Sequence, residues 1–125
     1  MYPKGYLNKM PIKTEQEIHD KIKAIQNTMF VIGGKWKLAV VLSIYNGNKR
    51  FNDIANSIPD ITNRVLSKEL RHLEENMIIC RTVTVDYPVK IEYSLTDYCS
   101  SINDVVKAME KWGKSHKDKI SNLNR

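Results

Sequence analysis

Ile32-Gly33-Gly34-Lys35-Trp36 and Val85-Asp86-Tyr87-Pro88-Val89-Lys90-Ile91-Glu92-Tyr93-Ser94-Leu95-Thr96 bracket the architecture of this chain. The first opens a strongly apolar stretch. Trp36, Leu38, Ala39, Val40, Val41, Leu42, Ile44 and Tyr45 leave hardly a polar face, so a helix there is expected to sit mostly inside, with Gly47 as its left-handed stop. The second belongs to a pair of alternating, β-branched runs, Ile79 to Val85 and Val89 to Leu95, joined through Asp86-Tyr87-Pro88. That pattern predicts a hairpin, after which Thr96 caps a long last helix. Between the two stretches, Phe51, Ile54, Ala55 and Ile58 mark a short helix ended by Pro59. The chain restarts at Ile61-Thr62 with Thr62 as N-cap, and Val65, Leu66, Leu70 and Leu73 turn the next helix toward the core.

Working outward, residues 1–13 contain Pro3, Gly5 and Pro11 and read as an N-terminal arm. Thr14-Glu15-Gln16-Glu17 is a capping box, and Ile18, Ile22, Ile25 and Met29 then recur along one face of a first helix that Gly33-Gly34 breaks. In the last helix Ile102, Val105, Val106, Met109 and Trp112 line one side, and Lys107, Lys111 and Lys114 another. The expectation is an arm (1–13) followed by a single domain (14–125). It is mainly α with a small β-hairpin wing, a winged helix-turn-helix with extra N- and C-terminal dimerisation helices. Ile18, Ile22, Ile25, Met109 and Trp112 are the expected dimer contacts, because the terminal helices carry more apolar surface than so small a domain covers alone.

Twenty Lys and Arg against fourteen Asp and Glu leave +6 on 125 residues, a charge that a two-fold dimer doubles and that favours an anionic partner, nucleic acid first. A soluble basic surface without a partner carries the same charge. No apolar run near the N-terminus suits a signal peptide or a membrane span, so a cytoplasmic protein with no membrane partner is expected. Cys80 and Cys99 are too few for a disulfide framework. His19, His72 and His116 fall on separate elements without metal-ligand spacing, and no glycine-flanked nucleophile turn is present. No catalytic residue, metal or cofactor is therefore assigned, and an enzyme is not expected.

Asn63, Arg64, Ser67, Lys68 and Arg71 fall on the outward face of the helix after Thr62. Amides, hydroxyls and guanidinium groups read base edges and hold phosphates. A charged helix face is by default only solvated, but this one lies on the second helix of a helix-turn-helix with a hairpin directly behind it. Lys90 either contacts DNA from the wing or guards a sheet edge. Arg50 either clamps a flanking phosphate or pairs with Asp53 or Glu69. Glu92 reads as a strand carboxylate pairing with Arg81 or Lys90. Lys35 stands at a helix start, yet a lone Gly-Gly-Lys is no phosphate loop. Trp36 and Trp112, among aliphatic neighbours at helical spacing, read as core.

Gly33-Gly34-Lys35-Trp36, Arg50-Phe51, Leu70-Arg71-x-Leu73-Glu74, the Pro88 to Thr96 hairpin exit and Trp112-Gly113 together resemble the HxlR-type bacterial transcription regulators, within the broad MarR-like class. The resemblance spans roughly residues 23–116. It implies a homodimer joined through the terminal helices, a double-stranded DNA operator of pseudo-palindromic sequence, and control by small-molecule effectors or oxidants. Some proteins of this type carry a sensor cysteine ahead of the Gly-Gly-Lys-Trp turn, at the position held here by Lys23. Cys99 is the one substitute, placed in a helix first turn that lowers a thiol pKa, unless it is a small half-buried cysteine. Met77 stands where the family usually has the glycine ending the recognition helix, so Asn76 is expected to take the left-handed role, and Val89 replaces a wing proline. The rival reading is a winged helix that docks proteins without reading DNA; it is expected to lose the outward Arg, Lys and Asn that this chain has.

Overall fold

The computed structural model describes residues 14–124, so the arm expected over 1–13 lies outside the described residues. Helix α1 runs Glu15–Ile32, and the Thr14 hydroxyl accepts the Glu17 N–H at 3.1 Å, as a capping residue should. Its two closing glycines have different causes. A Cβ at Gly33 would collide with the Met29 carbonyl oxygen, and Gly34 has φ +88°, where an L side chain is strained.

Helix α2 (Lys37–Tyr45) buries Val40, Val41, Ser43 and Ile44. It sits less deeply than its composition predicts, with Leu42 and Tyr45 exposed. The reason is that the start of the last helix borders this side of α2 through Ile102, Asn103 and Val106 without closing over it. Gly47 makes the left-handed stop at φ +108°. Helix α3 (Phe51–Ser57) buries Ile54, and the Ser43 and Ser57 hydroxyls, 2.6 Å apart, tie it to α2.

Helix α4 (Asn63–Glu75) starts at Thr62, whose hydroxyl accepts the Val65 N–H at 3.1 Å, and buries Leu66, Leu70 and Leu73. Its end corrects the expectation. Asn76 is not left-handed (φ −94°), because its side-chain amide instead donates to the His72 carbonyl at 3.0 Å. Met77 takes the left-handed conformation itself, at φ +63°. Met77 N–H donates to the Glu74 carbonyl and Ile78 N–H to the Leu73 carbonyl, both at 3.0 Å, the paired closure that usually calls for glycine.

Strands β1 (Ile79–Thr84) and β2 (Lys90–Leu95) form a two-stranded antiparallel sheet in which Ile79 faces Leu95 and Arg81 faces Tyr93. Glu92 lies opposite Thr82, so it leaves the sheet on the other face from Arg81. Among the described residues it has no ion pair with Arg81 or Lys90, contrary to the sequence reading. Thr96 does act as a cap, but of a 3-10 helix (Asp97–Ile102), and its hydroxyl also donates to the Met77 carbonyl at 2.6 Å. The last helix, α5, is therefore Asn103–Leu123, and it buries no residue.

The core is Val40, Val41, Ile44, Ile54, Ile58, Leu66, Leu70, Leu73, Ile78 and Ile79, with Cys99 at its edge. Each such aliphatic side chain contributes about 1.5–3 kcal/mol by leaving water. Trp36 packs on this core, as expected, whereas Trp112 is 68% exposed and stacks on His116 with ring centroids 4.7 Å apart.

Candidate nucleic-acid interface

Buried Leu66, Leu70 and Leu73 fix the rotation of α4, and that rotation leaves Asn63, Arg64, Ser67, Lys68 and Arg71 exposed on the opposite side. The cap at Thr62 and the turn at Met77 hold the two ends of this helix. Its position is tied by a charge pair whose second member, Lys37, the sequence reading did not name. Glu69 is 7% exposed and pairs with Lys37 at 3.3 Å, joining α4 to the first turn of α2.

Among the described residues no ion pair involves Arg64, Lys68, Arg71, Lys90 or Arg50, so they keep their charges available to solvent or to a ligand. Arg50 has neither Asp53 nor Glu69 as partner; Lys37 already holds Glu69. Arg50 precedes α3 in extended backbone, and the neighbouring Lys49 carbonyl accepts the Tyr93 N–H at 2.7 Å, which places it beside β2. Lys90 is exposed at the start of β2, opposite Thr84 and away from the core end of the hairpin. The structure therefore brings the five α4 residues onto one face, while Arg50 stands beside β2 and Lys90 at the outer end of the hairpin. Lys35 has its ammonium 4.7 Å from the Trp36 ring centre, a cation–π contact that gives it an occupation other than anion binding.

Arg81 is a further basic residue beside this face, one that the sequence reading did not count among the candidates. It lines a cleft with Ser67, Leu70, Arg71, Glu74 and Tyr93, between α4 and the hairpin. The signal was available: Arg81 stands two residues from the buried Ile79, and strand alternation puts both on one face.

The expected dimer residues Ile18, Ile22 and Ile25 on α1 and Met109 and Trp112 on α5 are all exposed within one chain. Of the two readings of Cys99, the structure favours the small buried cysteine: it is 5% exposed at the core edge, and burial pushes its thiol pKa up. Cys80 is exposed, with its sulfur 3.0 Å from the Ser94 hydroxyl. Among the described residues no cluster of His, Cys, Asp or Glu is arranged to hold a metal ion, and no single helix is long and apolar enough to cross a membrane.

A capped helix with an unpaired basic face, preceded by a short helix and followed by a hairpin, defines a winged helix-turn-helix DNA-binding protein. Residues 31–121 match the HxlR-like helix-turn-helix family, and the chain belongs to it. It is 39% identical over 99 residues to the HTH-type transcriptional regulator YdeP of Bacillus subtilis strain 168, a match covering 79% of this chain and 77% of that protein. YybR of the same strain, also an HTH-type transcriptional regulator, is 40% identical over 94 residues and is covered to 75%, as is this chain. Among solved structures, the redox regulator HypR in its reduced form superposes with a TM-score of 0.71 at 38% identity, over 79% of this chain and 98% of that one. The protein is a DNA-binding transcriptional regulator and not an enzyme.

Proposed function

We propose that the protein acts in the cytoplasm as a homodimer on a pseudo-palindromic operator. Each α4 enters a major groove with Asn63, Arg64, Ser67, Lys68 and Arg71, while Lys90 on the wing and Arg50 beside it meet the flanking backbone. The observation that carries this is the α4 face itself: five exposed polar or basic side chains on one helix side, the basic ones free of carboxylate partners among the described residues. The same face argues against a protein-docking winged helix, which has no use for it.

Support for the dimer comes from the terminal helices. On α1 every described residue before Val31 is exposed, including Ile18, Ile22, Ile25, Met29 and Phe30, and α5 adds Met109 and Trp112. An apolar stripe on a helix with so few partners in its own chain suits a two-fold interface. Its regulatory signal is a small-molecule effector: Lys23 stands at the position of the sensor cysteine, Cys99 is buried, and the exposed Cys80 has no second cysteine near it in sequence. Genomic footprinting of the tagged protein tests the whole reading: two-fold repeats at the bound sites are the expected result, and binding scattered without a shared repeat refutes it.

A further inference from the structure

We propose that the cleft between α4 and the hairpin seats one backbone phosphodiester of the bound duplex, clamped by Arg81 together with Arg71. The proposal rests on the DNA-binding reading above and assigns Arg81 a part in it. The cleft has a volume of about 340 Å³. Leu70, 2% exposed, and the partly buried Tyr93 form its floor, while Ser67, Arg71, Glu74 and Arg81 form its rim. Register explains why Arg81 is there. It faces Tyr93 across the hairpin and shares a sheet face with Ile79, so its side chain leaves the sheet on the core side, toward α4, instead of outward.

The ligand follows from the shape of a duplex. A single sugar–phosphate strand separates a major groove from the adjacent minor groove. If α4 lies in one groove and the hairpin in the next, that strand must pass over the gap between them, which is this cleft. What it meets there is chemically suited to it. Guanidinium groups from two different elements can take the non-bridging oxygens of one phosphate, each in paired hydrogen bonds, with the Ser67 hydroxyl as a further donor. Among the described residues Glu74 makes no ion pair with either arginine. Its carboxylate leaves the rim with one net positive charge, matched to one phosphate. Because the clamp spans helix and wing, it also fixes their relative position on the duplex while reading no base.

The test uses a duplex selected from a random pool by the full-length protein. Anisotropy titrations across a salt series compare the unaltered chain with Arg81→Ala and Arg81→Lys, on this duplex and on copies carrying a single neutral methylphosphonate at each backbone position. Arg81→Ala should weaken binding to all sequences alike, by about ten-fold per half-site, the loss typical of a charge-assisted hydrogen bond. The salt dependence should become shallower by about 0.9 in log–log slope per half-site. Arg81→Lys should restore the slope but not the affinity, since an ammonium supplies charge without the fork. One methylphosphonate position per half-site should weaken the unaltered protein clearly more than it weakens Arg81→Ala, in which Arg71 and Ser67 alone still face that phosphate. An unchanged slope in Arg81→Ala, or methylphosphonate losses equal in both proteins at every position, overturns the clamp while leaving DNA binding intact. Failure of the unaltered protein to select any duplex overturns the DNA-binding reading as well. Arg81 is exposed, so the alanine variant should melt as the parent does; should it not fold, Arg81→Lys decides, since lost affinity at an unchanged slope is expected of it and an affinity equal to the parent's overturns the clamp.

Discussion

Lys37→Met isolates the charge pair that positions the recognition helix. It keeps the length of the side chain and removes the ammonium, leaving the Glu69 carboxylate without its partner at a site where Glu69 is 7% exposed. At 3.3 Å and an effective dielectric of about 20, the gross attraction is about 5 kcal/mol. Desolvation of both groups offsets much of that in the intact protein. In the variant the carboxylate keeps its desolvation cost and loses the attraction. A fully buried pair broken in this way costs about 3–5 kcal/mol. The Lys37 and Glu69 side chains remain 16% and 10% exposed, so the lower end, about 3 kcal/mol, is expected here. Adding Glu69→Leu to Lys37→Met should recover most of the loss, because no buried charge then remains. Urea unfolding of the parent, both single variants and the double variant gives the coupling directly, and it should be about 2 kcal/mol or more. A loss below about 0.5 kcal/mol in Lys37→Met, with no coupling, would show that the pair behaves as a solvated surface contact and does not hold α4 in place.

Thr62→Ala removes the acceptor for the Val65 N–H at the start of the recognition helix and should cost about 1 kcal/mol in urea unfolding. Met109→Glu puts a charge on the proposed two-fold contact and should turn a dimer into a monomer by sedimentation; a dimer as tight as the parent would move the interface elsewhere. For Cys99 the folded-state pKa is raised by burial, so the unfolded chain loses that proton at lower pH than the folded one. Stability from this group is then complete below the ordinary thiol pKa and falls as pH rises through the folded value, an alkaline loss that Cys99→Ala should abolish. The same burial predicts that a Cys80→Ser variant, which keeps only Cys99, retains operator binding in mild diamide; a loss of binding there that Cys99→Ser abolishes would show a redox switch at Cys99.

The apolar spacings of this chain carried most of its fold. Leu66, Leu70 and Leu73 at intervals of four and three determine which side of α4 is buried, and the five outward residues follow from them. Thr14 and Thr62 were equally readable, because a capping hydroxyl acts within its own turn. What escaped notice depends on partners distant in sequence. Lys37 and Glu69 belong to different helices, and only packing shows that they meet. Met77 takes a conformation that its side chain disfavours because closing α4 onto the core residue Ile78 requires it. The 3-10 turn ahead of α5 begins at Thr96, which is tied back to Met77 as well as capping forward. Leu42 and Tyr45 looked internal because composition cannot say that a neighbouring helix stops short of covering them. Arg81 is different, since counting by two from Ile79 already places it on the inner face of the hairpin.

If the outward face of α4 reads DNA sequence, the loss of Arg64 must change base preference. The measurement is an anisotropy titration of the parent and Arg64→Ala against the selected duplex and its single-base variants, at fixed salt. A guanidinium contacting a base edge predicts a loss of about 1–3 kcal/mol in Arg64→Ala, with discrimination relaxed at one base pair per half-site and retained elsewhere. An alanine variant that keeps both the affinity and the full base preference of the parent would mean that this face of α4 does not read sequence through Arg64.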